Sequence, residues 1–154
     1  MKSFLFHVSI IVFIISFRAY GNDMPNKNIE NKNIRIEISS TPLIYDLSGK
    51  DKTELEVKSL NGDANASFRL YQYYSFTLND IDEQMRFLKR AACQGNNVAQ
   101  YNYGFFLSYD DPEFAKYYNL NEAIYWMGLA AKKDHGIAET MLEELKSKRL
   151  KKRQ

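Results

Sequence analysis

Apolar residues return every three or four positions from Gly62 to Leu145, the spacing that puts one stripe of a helix against a core. Ala66, Leu70 and Tyr73 or Tyr74 mark one helix, and Met85, Phe87, Leu88 and Ala92 mark the next. Val98, Ala99, Tyr103, Phe106 and Leu107 predict a third, with Gly104 small enough for a neighbour to approach it. Ala123, Ile124, Trp126, Met127, Ala130 and Ala131 form the stripe of a fourth, and Ile137, Met141, Leu142 and Leu145 that of a last, highly charged helix. Upstream, Asp51 reads as the N-cap of a short helix with Leu55, Val57 and Leu60 inward, ending at Asn61-Gly62. Asp80 or Asp82, and later Asn121, are the other predicted caps, and Thr77 to Asp80 is a predicted turn. Residues 22–50 lack this period. Asn-rich at first, they read as a flexible or extended leader in which Ile34-Arg35-Ile36-Glu37-Ile38 alternates like a short strand or arm.

The helical stretch repeats itself. Ala91-Ala92-Cys93-Gln94-Gly95 through Gln100 aligns with Ala130 through Glu139 at a constant offset of 39 residues. Gly62-Asp63-Ala64-Asn65-Ala66-Ser67 aligns with Gly95 through Gln100 at an offset of 33. Periods of this size belong to stacked helical repeats, here units of about 62–94 and 95–133 with a capping helix over about 137–152. The second unit carries extra chain: Ser108 to Leu120 is an enlarged connection containing Asp110-Asp111-Pro112.

The N-terminus adds an address. Lys2, an apolar run from Phe4 to Phe17, and Ala19-Tyr20-Gly21 make a secretory signal pattern over residues 1–21, which implies a periplasmic or secreted mature chain. The run is short of the roughly 20 residues of a membrane span, so an uncleaved anchor is the alternative reading. Losing Lys2 and Arg18 reduces the 21 basic residues to 19, equal to the 19 acids. Six of those bases, Lys146, Lys148, Arg149, Lys151, Lys152 and Arg153, crowd the C-terminus, leaving an acidic body. The basic end suits the negative pole of a helix, and no nucleic-acid partner or stable membrane insertion is expected.

Chemistry is sparse. Cys93 alone allows no internal disulfide and reads as a small packed residue. With His135 the one histidine left after signal removal, no ordinary zinc site can be assembled, and no nucleophile–base set has support. There is no glycine-rich phosphate loop, and Asp110-Asp111-Pro112 is ordinary turn chemistry. The expectation is therefore no enzyme, no cofactor and no metal. Aromatic residues are plentiful, and consecutive pairs such as Tyr73-Tyr74 and Phe105-Phe106 point about 100° apart on a helix. Some must leave the core, and Tyr and Trp concentrate at interface hot spots. The protein-binding candidates are Tyr73, Tyr101, Phe105, Tyr109, Tyr117 and Tyr118, with Asp110, Asp111 and Glu113 completing an acidic, aromatic face.

Ala66 with Leu70, Ala99 with Tyr103-Gly104 and Ala138 with Leu142 share one helix pattern, and Ala123-x-x-Trp126-x-x-x-Ala130-Ala131 supplies its partner. Over roughly Gly62 to Leu145 this resembles the Sel-one-like repeat, a relative of the tetratricopeptide repeat. The first unit departs from it in having Tyr71 for the glycine and Gln84 for Ala123. The resemblance implies an all-α chain: a short right-handed α-solenoid of two helix-turn-helix repeats plus a C-terminal capping helix, preceded by an extended segment. Two repeats are short of the three normally needed, so a partner, a homodimer mate or the leader would cover the open end. Solenoids bind proteins. Small signal-bearing chains of this kind are similar to periplasmic immunity proteins that neutralise type VI secretion toxins by occluding them. A structural adaptor in envelope or secretion-system assembly is the second expectation. A hydrolase is the third, weakened by the absence of the paired cysteines of β-lactam-binding relatives.

Overall fold

The computed structural model describes residues 42–133 and 136–152, so the predicted signal, the Ile34–Ile38 arm and His135 lie outside the described residues. Every described element is helical. The helices are α1 (Pro42–Tyr45), α2 (Gly49–Leu60), α3 (Ala64–Tyr73), α4 (Ile81–Cys93), α5 (Asn97–Ser108), α6 (Leu120–Ala131) and α7 (Gly136–Lys151). From α2 onward each packs on the next in the chain, and α1 rests on α3.

The junctions explain the sequence offsets. Gly62 and Gly95 take left-handed backbone, φ 95° and 93°, which a Cβ would oppose. Around them the amide of Asp63 bonds Lys58 O and that of Gly62 bonds Ser59 O, while Asn96 bonds Ala91 O and Gly95 bonds Ala92 O. This double closure satisfies helix-end carbonyls of α2 and α4. Asp63 and Asn96 then cap the next helices: Asp63 Oδ1 accepts from the amides of Asn65 and Ala66 at 2.9 and 3.0 Å, and Asn96 Oδ1 from Ala99 at 2.8 Å.

Several expected boundaries move. Ser48, not Asp51, caps α2; the Asp51 carboxylate instead accepts from the Ser48 hydroxyl while the Asp51 amide donates to Ser48 Oγ, a reciprocal cap. The leader is therefore already helical at α1, where Arg69 donates to the carbonyls of Ile44, Tyr45 and Asp46. Val57 and Leu60, expected inside, are 52% and 71% exposed. Leu55 and Leu60 are five residues apart and cannot share a face. The inward stripe is Lys52, Leu55, Glu56 and Ser59, and Ser59 is fully buried. There Ser67 Oγ donates to Gln94 Oε1 at 2.5 Å, Ser59 and Ser67 share a 2.7 Å hydroxyl bond, and Gln94 Nε2 donates to Ser59 O at 2.7 Å. Polar side chains lock this seam.

Thr77 is not the start of a turn. The chain continues α3 as one wide turn over Tyr74–Leu78, ending where Asn79 adopts φ 53°. Asp80 caps α4, and α6 is capped by Asn119 rather than Asn121, its Oδ1 accepting from Glu122 N at 3.1 Å. Cys93 is exposed, not packed, because Ala91 and Ala92 take the buried positions at the end of α4. On α7 only Ala138 and Leu145 are fully buried; Met141 and Leu142 flank them, and Ile137, off that stripe, is half exposed. Gly104 lies where a Cβ would stand 3.1 Å from Ala123 O and 3.2 Å from Met127 N, so α5 and α6 touch backbone to backbone.

Candidate protein-interaction site

The connection between α5 and α6 is a strap, residues 109–119, held by side chains more than by secondary structure. One short 3-10 turn, Ala115–Tyr117, interrupts it. Its entrance is aromatic. Tyr109 stacks on Phe105 at 5.5 Å, and Phe114 is buried against Phe106 at 4.8 Å with its edge to Tyr109 at 6.3 Å. Between them the Asp111 carboxylate accepts from Glu113 N at 2.8 Å, and the Phe114 amide donates to Asp111 O at 3.0 Å, turning the chain so that Phe114 points back inward. At the exit, Asn119 N donates to Leu107 O at 2.8 Å.

Two adjacent tyrosines pull the strap to opposite sides. The Tyr117 hydroxyl donates to the Asp82 carboxylate in the first turn of α4, which also pairs with Lys116. The Tyr118 hydroxyl accepts from Lys152 Nζ at 3.1 Å, and the ammonium groups of Lys148 and Lys152 lie 5.4 and 4.7 Å from its ring centre. Lys148 also donates to Ser108 O at 3.4 Å. Beside the strap, Glu122 on α6 accepts from Trp126 Nε1 at 3.2 Å and pairs with Lys89 of α4 at 3.5 Å.

These surroundings separate the two phenols. Burial, followed by the bond to Asp82, pushes Tyr117 up to about 12, whereas the bond from Lys152 holds Tyr118 below its ordinary value of 10. The bonds of Lys116 and Tyr117 hold Asp82 below the usual carboxylate range. In an alkaline absorbance titration, Tyr118→Phe is expected to remove a step below pH 10 and Tyr117→Phe a step near pH 12; identical early and late phases in both variants would contradict the two-sided tether. The linkage signs differ as well. The raised Tyr117 supports the fold below pH 10 and ceases to as pH climbs through about 12, while the lowered Tyr118 adds its support above pH 10 and loses it as pH falls through its folded value.

The expected face is thus partly redrawn. Phe105, Tyr109, Asp110, Asp111, Glu113, Tyr117 and Tyr118 do come together on or beside the strap, with Asp110 and Glu113 exposed and the others half-buried. Tyr101 does not belong: it is 4% exposed. Its helix has neighbours on two sides, so a second face of α5 is also core, and burial raises its phenol. Tyr73 sits half-buried on α3, its ring edge-on to Tyr74 at 5.3 Å. Sequence reasoning missed Phe114 as the strap's inward anchor, and Asp82, Lys148 and Lys152 as its tethers. The four-residue spacing of Lys148 and Lys152 on one helix face was the available signal. Among the described residues no group of three or more His, Cys, Asp or Glu could hold a metal ion, and no helix is long and apolar enough to cross a membrane.

No family model matches the chain, and no solved structure does. Among curated proteins it is similar to the uncharacterized protein YibG of Escherichia coli strain K12, with 47% identity over 139 residues that cover 89% of this chain and 88% of that protein. Likeness of that extent over nearly the whole of both sequences is family membership, and the chain belongs to the YibG family.

Proposed function

We propose that α2–α7 form a short right-handed solenoid of Sel-one-like type, with two helix-turn-helix repeats and α7 as cap, and that the chain is a protein-binding module. The order of caps supports the repeat reading: Asp63 and Asn96 open corresponding helices 33 residues apart, and Asp80 and Asn119 open the next pair 39 apart, the difference lying in the longer strap. The observation that carries the binding reading is the strap, by which the second unit exceeds the first. It is longer than the turn at Asn79–Asp80 requires, anchored on both sides, and displays Asp110 and Glu113 to solvent. A rigid, irregular segment on a helical scaffold is the usual form of a recognition element.

Within that reading, the chain acts as a periplasmic immunity protein, exported by its N-terminal signal, whose strap occludes a cognate secreted antibacterial toxin. The body's acidic balance favours a basic partner surface. The test is co-expression of the full chain, signal included, with the product of the adjacent gene. A complex and protection of the cell are expected, and Asp110→Lys with Glu113→Lys should weaken binding at least about tenfold, or about 1.4 kcal/mol. No complex and no protection would sink the immunity reading; retrieval of the cell's own envelope proteins by cross-linking would replace it with the adaptor.

A further inference from the structure

The outer side of α2 is finished differently from that of α7. Along α7 the exposed positions from Glu139 to Ser147 are Glu139, Thr140, Glu143, Glu144 and Ser147, all of them polar. The helix α2 packs on α3 and turns Val57 and Leu60 to solvent, 52% and 71% exposed. The repeat does not ask for them, since the residues 33 positions on, in α4, are Arg90 and Cys93. Neighbouring aliphatic side chains on one rim of an end helix gain free energy from any contact that covers them.

The pattern beside them says what fits. At about 100° per residue, Thr53, Val57 and Leu60 fall within about 60° of one another, and Asp51, Glu54 and Lys58 fill an adjoining sector of about 60°. All six are exposed. Within the second row Lys58 Nζ donates to the Glu54 carboxylate at 2.7 Å, both side chains being more than half exposed. Two copies of such a helix laid antiparallel about a two-fold axis place each row against itself, because that axis keeps matching sides together. Three pairings then share one register: Thr53 with Leu60 of the second copy, Val57 with its own counterpart, and Glu54 with Lys58 of the second copy. The two residue numbers of each pair add to nearly the same total, as an antiparallel register demands. A parallel pairing would instead set the aliphatic row on charge.

We infer that the outer side of α2 docks a second copy of this chain, in an antiparallel contact of α2 on α2 with Val57 at its centre and the Glu54–Lys58 pairs exchanged between copies along its flank. The strap's tethers lie on α4 and α7, so the pair carries two straps. One helix on one helix covers less than the roughly 1,200 Å² of stable pairs, and association is therefore weak and concentration-dependent. Sedimentation equilibrium of the full chain as isolated should show reversible dimerisation at concentrations up to about 1 mM. Val57→Asp should weaken it by about tenfold or more. Glu54→Lys alone, which sets lysine against Lys58 of the second copy, should do the same, and adding Lys58→Glu should bring the dimer back. Because every changed residue is exposed, the circular dichroism of each variant should match that of the parent chain. A chain that stays monomeric throughout, a dimer indifferent to Val57→Asp, or a double variant no stronger than Glu54→Lys would overturn the α2 contact.

Discussion

Gly104→Val should lower stability by about 1–3 kcal/mol, seen as a fall in the urea midpoint with an unchanged slope. The added carbons must enter a space where the first Cβ already stands 3.1 Å from Ala123 O, 3.2 Å from Met127 N and 3.4 Å from Trp126 Cβ. Two of those three atoms are backbone, which cannot swing aside as the tip of a long side chain can. Relief would require α6 to withdraw from α5, loosening the edge-to-face contact of Tyr103 and Trp126 at 5.7 Å. Gly128 provides the control. It is also helical but has open space where its Cβ would be, so Gly128→Ala should stabilise by about 0.5–1 kcal/mol through backbone entropy and propensity alone. Equal effects at the two glycines would refute the close-contact account.

The second large effect is Phe114→Ala. A fully buried Phe truncated to Ala costs about 3–5 kcal/mol. Phe114 is 6% exposed and is the strap's inward anchor on Phe106. The strap, however, can open without unfolding the helices, so part of that cost appears as local rather than global opening. Amide exchange over 109–119 should accelerate by two orders of magnitude or more, while the thermal midpoint falls less than for Phe87→Ala, whose ring lies inside α4 at 1% exposure. The same variant would lose partner binding if the strap is the recognition element. Unchanged exchange in 109–119 would show that the tyrosine tethers alone suffice.

What could be read from the chain was whatever is local. The helix end at Gly62, the cap at Asp80 and the stripes of α3 to α6 are decided by residues within a few positions of one another, whereas the caps at Asp63 and Asn96, equally local, were not picked out. The face of α2 was misjudged because its buried contact is the polar Ser59–Ser67–Gln94 seam, which apolar periodicity cannot register. Tyr101 was misjudged because the argument from aromatic excess assumes one core face per helix, whereas Gln100 to Gly104 is a full turn of α5 buried on every side. In the strap, the composition of 109–118 pointed to the right region, but its anchors pair residues 35 and 34 apart, Tyr117 with Asp82 and Tyr118 with Lys152. Pairings at that distance follow from helix stacking, which no short window of sequence contains.

The residues Asp63 and Asn96 each belong to two helices at once, closing the one before through the backbone amide and opening the one after through the side chain. No spare torsion is left at either elbow. Lengthening the chain there by even one residue would separate the two duties, whereas the strap around Pro112 can gain or lose residues without touching a helix end. The elbows fix how α2 meets α3 and how α4 meets α5, and the strap is where added or lost residues are tolerated.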